Sequence, residues 1–164
     1  MDTHTSENSG RKILITGSTI GSELARVYAA DTAVSDVVYT YRTREPAFSS
    51  SKIMCVSMDL TCERQIEDFL SQLDRLDGVV NTVGLLHEEA MQPEKSISRV
   101  SAKQLMRSLE INTLPTLLLA KHSRRALRRS QCAFFATISA KVGSIEDNRL
   151  GGWYSYRATK AALN

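Results

Sequence analysis

Two hydrophobic periods alternate along this chain. Short runs of β-branched, aliphatic and aromatic residues recur at 12–16 (KILIT), 37–41 (VVYTY), 53–57 (IMCVS), 78–82 (GVVNT) and 133–139 (AFFATIS). Runs of this length and composition predict strands, and their nearly continuous apolar character predicts a parallel sheet covered on both faces. Between them, apolar residues recur every three or four positions, the period of an amphipathic helix. Residues 21–30 predict a first helix, with Ile20, Leu24 and Val27 on its buried face. Residues 61–73 predict a second, capped by Thr61, with Ile66, Phe69, Leu70 and Leu73 on one side. One long helix is predicted over 101–122, with Ser101 as its cap, Gln104 in the capping-box position and a kink at Pro115. A last helix runs from Tyr154 to Asn164. Strands that are each followed by a helix place the chain in the α/β class, as a doubly wound parallel sheet.

Composition narrows the picture. With 164 residues, 42% of them apolar, the chain can bury a real core as one domain. The first ten residues, MDTHTSENSG, are polar and lack the apolar stretch of a secretory signal, so they read as a disordered tail ahead of a domain over 11–164. No apolar run approaches the roughly 20 residues that cross a bilayer. Net charge is +3 with the signs interspersed, which marks no particular partner. The basic run Lys121, Arg124, Arg125, Arg128 and Arg129 has no interleaved aromatic residues, so it reads as cations at a helix C-terminus and not as a nucleic-acid surface. Cys55, Cys62 and Cys132 show no metal-ligand spacing and predict free thiols in a reducing, cytoplasmic setting.

Three places carry candidate chemistry. Thr16-Gly17-Ser18-Thr19-Ile20-Gly21 is a glycine-containing turn between a strand and a helix, where backbone amides and a helix N-terminus can approach a pyrophosphate. At the end of the second predicted strand, Arg42 and Arg44 stand where an acid would bind a ribose 2′-hydroxyl. Guanidinium groups there accept a 2′-phosphate and argue for NADPH over NADH, although the pair also reads as solvated loop arginines. Tyr156 and Lys160, four apart, share one helix face, where an ammonium group can hold a phenol's pKa down and make it a proton donor near neutral pH.

The segment around this pair, YSYRATKAALN over 154–164, resembles the active-site helix of the short-chain dehydrogenase/reductase family. Within that family it is most similar to the small carbonyl-reductase branch that includes the C-factor-like proteins. The resemblance extends over nearly all of the chain after the first ten residues and implies a Rossmann-like fold. The turn after the first strand resembles the family's T-G-x3-G-x-G in either of two alignments. Without a gap, Gly17 and Gly21 match and Glu23 replaces the last glycine. With a gap of two, Ile20-Gly21-Ser22-Glu23-Leu24-Ala25 matches the family's I-G-x-x-L-A and Thr19 replaces the middle glycine. The second alignment is preferred because it buries Ile20, Leu24 and Val27. Asn81-Thr82-Val83-Gly84 resembles the N-x-A-G signature, and the following LLHEEAMQPEKSI also looks like the C-factor-like branch. His87, beside Glu88 and Glu89, completes no plausible metal set and reads as a loop residue.

Roles follow from the resemblance. The loop Gly17, Ser18, Thr19, Ile20 and Gly21 would cradle the cofactor's phosphates and Arg42 its 2′-phosphate, while Asp59 and Leu60 would meet the adenine. Asp59 also reads as an ordinary turn residue. Asn81 would brace the central sheet and Gly84 would let the backbone approach the cofactor. Tyr156 would donate a proton, Lys160 would bind the nicotinamide ribose and lower the pKa of Tyr156, and Asn112 would anchor a water. Aligned on Gly143, the usual catalytic serine falls on Ala140, which leaves Ser139 as the favoured candidate and Ser144 as a second. The implied activity is NADP(H)-dependent reduction of a small carbonyl compound. A catalytically inactive, reductase-like binding or signalling protein is the alternative. The family fold has about six strands against five predicted here, so a C-terminally truncated form is expected, with a homo-oligomer possible at full length.

Overall fold

The computed structural model describes residues 10–88 and 91–164. The polar tail expected over 1–10 lies outside the described residues, apart from Gly10. The five apolar runs become β1 (Arg11–Thr16), β2 (Val34–Tyr41), β3 (Ile53–Ser57), β4 (Gly78–Asn81) and β5 (Phe134–Thr137). They pair in parallel in the order β3-β2-β1-β4-β5. The helices are α1 (Thr19–Ala30), α2 (Glu63–Leu70), α3 (Ala102–Asn112), α4 (Leu114–Leu127) and α5 (Tyr154–Leu163).

β1 is buried on both sides, as a central parallel strand must be. Ile13 and Ile15 face one core with Val37, Tyr39 and the helix residues Ala25 and Ala29. Leu14 faces the other with Val38, Val79, Ile66, Leu70 and Leu119. Chain order moves outward from β1 through β2 to β3, then crosses back to β4 and β5. The reversal therefore falls between β1 and β4, and in such sheets a crevice opens there at the carboxyl ends of the strands.

The structure corrects five details of the sequence reading. In α1 the buried residues are Gly21, Ala25 and Ala29, while Ile20 and Val27 are 55% and 66% exposed. The sheet face below already carries Ile13, Ile15, Val37 and Tyr39, so the small Ala25 and Ala29 bury fully against it while Leu24 and Tyr28 pack on it partly buried. The burial argument for the gapped alignment therefore fails. Thr61 does not cap α2: Cys62 holds that position, and Thr61 gives its amide and hydroxyl to the Asp59 carboxylate at 2.9 and 2.8 Å. The long helix is two helices separated at Thr113, with Pro115 in the first turn of α4, where a missing N–H costs nothing. Ser101 does cap α3, accepting the Gln104 amide at 3.3 Å, but the Gln104 side chain donates to the Gln92 carbonyl at 2.8 Å and the capping box stays half formed. Finally, β5 is shorter than expected and has β4 as its one neighbour in the described sheet.

Candidate active site

A cleft of about 310 Å³ opens at the carboxyl ends of β1, β2, β3 and β4. Behind its wall runs one row of the sheet, in which Thr40, Thr16, Asn81 and Thr137 lie side by side in register, with Thr40 in the wall itself. Asn81 is the centre of that row. Its Oδ1 accepts from the Thr16 hydroxyl at 2.6 Å and from the Val83 amide at 3.1 Å, and its Nδ2 donates to Thr116 Oγ1 at 2.8 Å. Thr116 in turn lies 3.2 Å from Thr137 Oγ1. One buried amide thus ties β1, the turn after β4, α4 and β5 together, with all of its hydrogen-bonding atoms engaged.

The turn from β1 to α1 packs on the end of β4. Gly17 has a φ of +113°, and a Cβ there would sit 2.0 Å from Thr82 Oγ1. Gly21 is equally confined: a Cβ would meet the Thr16 carbonyl and Thr82 Oγ1 at 2.9 Å each. Both glycines are required by this close approach. Gly17 and Ser18 line the cleft, whereas Thr19, Ile20 and Gly21 lie outside its wall. Arg42 and Arg44 are exposed and line the β2 end. Asp59, Leu60 and Gly84 also line it. The Thr61 amide, helped by its hydroxyl and by Arg42 and Arg107, holds the Asp59 carboxyl below the usual range against the opposing effect of burial.

Tyr156 and Lys160 stand one turn apart on α5, as their spacing requires. Lys160 is 2% exposed, and its Nζ donates to the Ile138 carbonyl at 2.9 Å. A Cβ on Gly84 would lie 3.4 Å from that Nζ, so the far wall of the cleft rests on the lysine. Burial pushes the Lys160 pKa down. The ammonium lies over the Tyr156 ring, 5.8 Å from its centroid. Burial also raises the Tyr156 pKa above its ordinary 10.0, the reverse of the expected depression by Lys160. The Trp153 ring makes an edge contact with the Tyr156 ring at 6.3 Å between centroids.

Asn112 is buried at the end of α3 and acts as a latch. Its Oδ1 accepts from the Leu85 amide at 2.6 Å, and its Nδ2 donates to the Leu85 carbonyl at 3.0 Å and to Thr159 Oγ1 at 3.1 Å. The side chain therefore joins the segment after β4 to the helix that carries Lys160. Ser139 Oγ donates to Asn164 Oδ1 at 2.6 Å, and Ser144 Oγ accepts from the Asp147 amide at 3.1 Å. Both serine candidates are thus engaged with neighbours in their own segment or with the end of α5.

One residue at the site escaped sequence reasoning. The N-cap position of α5 is held by Trp153, at a φ of +52°, which offers no side-chain acceptor. Glu94 supplies it instead. Its carboxylate accepts the Ser155 amide at 3.2 and 3.3 Å and the Ser155 hydroxyl, and its carbonyl accepts the Trp153 amide at 2.6 Å. Glu94 is 3% exposed. A charged acceptor at a helix N-terminus is favourable, and this one fixes the turn on which Tyr156 stands. An uncapped tryptophan ahead of a predicted helix was the available signal that a cap must come from elsewhere.

Residues 11–164 match the family model described as short chain dehydrogenase. The chain belongs to the short-chain dehydrogenase family. Among curated relatives, 1-hydroxy-2-glutathionyl-2-methyl-3-butene dehydrogenase of Rhodococcus sp. (strain AD45) is 30% identical over 111 residues. That match spans 65% of this chain and 46% of the relative, somewhat under half its length. Two solved structures with the same fold are the carbonyl reductase Sniffer of D. melanogaster and an NADPH-bound carbonyl reductase from chicken fatty liver. The first is 24% identical with a TM-score of 0.83, covering 94% of this chain and 71% of that one. The second is 22% identical with a TM-score of 0.79, covering 98% and 69%.

The short-chain dehydrogenase cleft seen here fits a dinucleotide. Guanidinium groups lie at one end, loop backbone in the middle and a side-chain-free glycine against Lys160 at the other. Glu23, which one alignment places against the phosphates, pairs with Arg26 at 2.7 Å and is outside the wall. Glu88, a carboxylate in the wall, lies 3.7 Å from Arg107. Among the described residues no cluster could hold a metal ion and no helix is long and apolar enough to cross a membrane.

Proposed function

We propose that this chain is an NADP-preferring reductase of small carbonyl compounds, built as one nucleotide-binding domain over residues 11–164. The observation that supports it most strongly is the placement of Lys160. Its buried ammonium lies behind Gly84, a residue of the cleft wall, and over the ring of Tyr156, so one helix brings both groups to the same edge of the cleft. Arg42 and Arg44 would hold the 2′-phosphate, Gly17 and Ser18 the pyrophosphate, and Leu60 beside Asp59 the adenine. When bound, the nicotinamide supplies the hydride.

This chain's own residues do the rest. The raised pKa of Tyr156 keeps its phenol protonated across the neutral range, the state a proton donor needs. The alkoxide that forms as a carbonyl carbon accepts hydride is a far stronger base than any phenolate, so transfer from Tyr156 runs downhill even with that raised value. Lys160 holds positive charge next to the phenolate left behind and can donate to the ribose. Asn112 keeps the Lys160 helix seated against the turn after β4. Ser139 would need to turn from Asn164 to reach a carbonyl oxygen.

A second reading has its own support. Ala140 takes the place of the serine, and Ser139 already donates to Asn164, as in a binding protein that has lost its chemistry. Calorimetric titration with NADPH and NADH, followed by turnover with small aldehydes and ketones, separates the two. The reductase reading expects saturable NADPH binding, weakened by Arg42→Ala, and turnover that falls at least about a hundredfold in Tyr156→Phe, the usual worth of a positioned acid. NADPH binding without any turnover supports the inactive reading, and turnover unchanged in Tyr156→Phe removes the tyrosine from its role.

A further inference from the structure

The turn that enters α1 is held by a side chain from another strand. Tyr39, on β2, is 2% exposed, and its hydroxyl donates to the Gly17 carbonyl and lies 3.2 Å from the Ser18 carbonyl. Ser18 itself, at the N-cap position of α1, makes no side-chain cap hydrogen bond. The Tyr39 ring is fixed in turn by the Phe48 ring, edge-on at 5.2 Å, and Phe48 carries the Arg26 guanidinium on its face at 5.0 Å. In a planar trans peptide, N–H points opposite to C=O. The Gly17 carbonyl, held inward by the phenol, therefore turns the Ser18 amide the other way, while the Ser18 carbonyl accepts the Ser22 amide at 2.8 Å as the first bond of α1. Ser18 is exposed and lines the cleft, so its amide faces the open side of the turn at the start of α1. Outward amides at a helix N-terminus are the arrangement that receives a phosphate oxygen.

We propose that Tyr39 is a positioning residue for the cofactor pyrophosphate: its hydroxyl pins the Gly17 carbonyl inward and so presets the outward Ser18 amide, beside the α1 terminus that the Ser22 to Ser18 bond already orients. The inference rests on the reading of the cleft as an NADPH site.

The test is Tyr39→Phe, which keeps the ring and its packing on Phe48 and removes one hydroxyl. Dissociation constants of the full chain and the variant are measured by calorimetry for NADPH and for adenosine 2′-phosphate, which carries the 2′-phosphate but no pyrophosphate. Measurements are made below the unfolding midpoint of each protein, checked by circular dichroism. The expected result is a loss of NADPH affinity of roughly three- to tenfold, the worth of one hydrogen bond, with adenosine 2′-phosphate unchanged. Equal NADPH affinity in the two proteins overturns the role of Tyr39 and leaves the cofactor site standing. An equal loss for both ligands overturns it as well, because the variant has then loosened the whole cleft. Failure of the unaltered chain to bind NADPH overturns the cofactor reading and the inference with it.

Discussion

Replacing Glu94 tests whether the helix of Tyr156 and Lys160 is held from outside. In Glu94→Ala, the amide and hydroxyl of Ser155, which is itself almost fully buried, lose their acceptor. A buried donor left without a partner costs about 1–3 kcal/mol. Loss of an N-cap costs about 0.5–2 kcal/mol, and the two overlap because they describe the same amide. Relief from burying a carboxylate offsets part of the loss, so the net expectation is about 2 kcal/mol. Glu94→Gln keeps one oxygen acceptor and loses the charge at the helix terminus, for an expected loss of about 1 kcal/mol. For a chain of this length, about 2 kcal/mol lowers the thermal midpoint by roughly 4–8 °C. The assay is urea unfolding followed by far-ultraviolet circular dichroism and by the emission of Trp153. That residue is the chain's single tryptophan and stands at the start of α5. A double-mutant cycle with Ser155→Ala isolates the hydroxyl–carboxylate contact, because the Ser155 amide survives that change, and should return a coupling of about 1 kcal/mol. If Glu94→Ala and Glu94→Gln both unfold within about 0.5 kcal/mol of the parent, the external cap is not what holds the helix.

Two further substitutions probe the same site. Lys160→Met should raise the stability of the ligand-free chain by about 1 kcal/mol near neutral pH while removing reductase activity, because a buried ammonium gives way to a side chain of similar length. The pH dependence follows from the depressed pKa. The unfolded chain binds more protons than the folded one between that depressed value and the ordinary 10.5, so the parent gains stability as pH rises through this window. The methionine variant should lose that gain, as measured by denaturant midpoints between about pH 8 and 9.5, below the raised pKa of Tyr156. A parent and variant with parallel pH profiles would refute the assignment. Gly17→Ala should destabilise by about 1–3 kcal/mol from its positive φ and its collision with Thr82. Made in a Thr82→Ala background it should recover the collision part and keep the conformational part, and full recovery would show that φ was never limiting.

The strands were legible because each packs several apolar residues into a run too short for a helix. IMCVS over Ile53–Ser57 matched its strand to the residue, and the Ser101 cap was visible because a cap acts on an amide three residues away. The family-defining spacing of Tyr156 and Lys160 is likewise local, one turn of one helix. What failed depended on partners distant in sequence. The buried side of α1 is decided by how much volume the sheet leaves, which favours Ala25 and Ala29 over Ile20 and Val27. The separation of α3 from α4 reflects Asn112 and Thr113 reaching Thr159 on α5, where Thr113 Oγ1 donates to the Thr159 carbonyl at 2.9 Å. The cap of α5 lies 61 residues upstream of the amide it serves. The depression of the Tyr156 pKa was inferred from spacing alone, and burial, which spacing does not report, reversed its direction.

The polar row Thr40, Thr16, Asn81 and Thr137 has a consequence for how the sheet assembles. Parallel strands have no hairpin turn to align them, and their partners arrive from distant parts of the chain. Apolar runs such as Ile13-Leu14-Ile15 on β1 and Val79-Val80 on β4 carry little that distinguishes one alignment from the next. A one-step slide of β4 against β1 would set Asn81 opposite Ile15 and detach it from the Thr16 hydroxyl, leaving an amide buried without its acceptor. Only one alignment lets the amide reach Thr16, Thr116 and the Val83 backbone together. The buried amide behind the cleft thus works as an indexing pin, and the strand ends that must converge on a ligand are brought level by the same contact that completes the core.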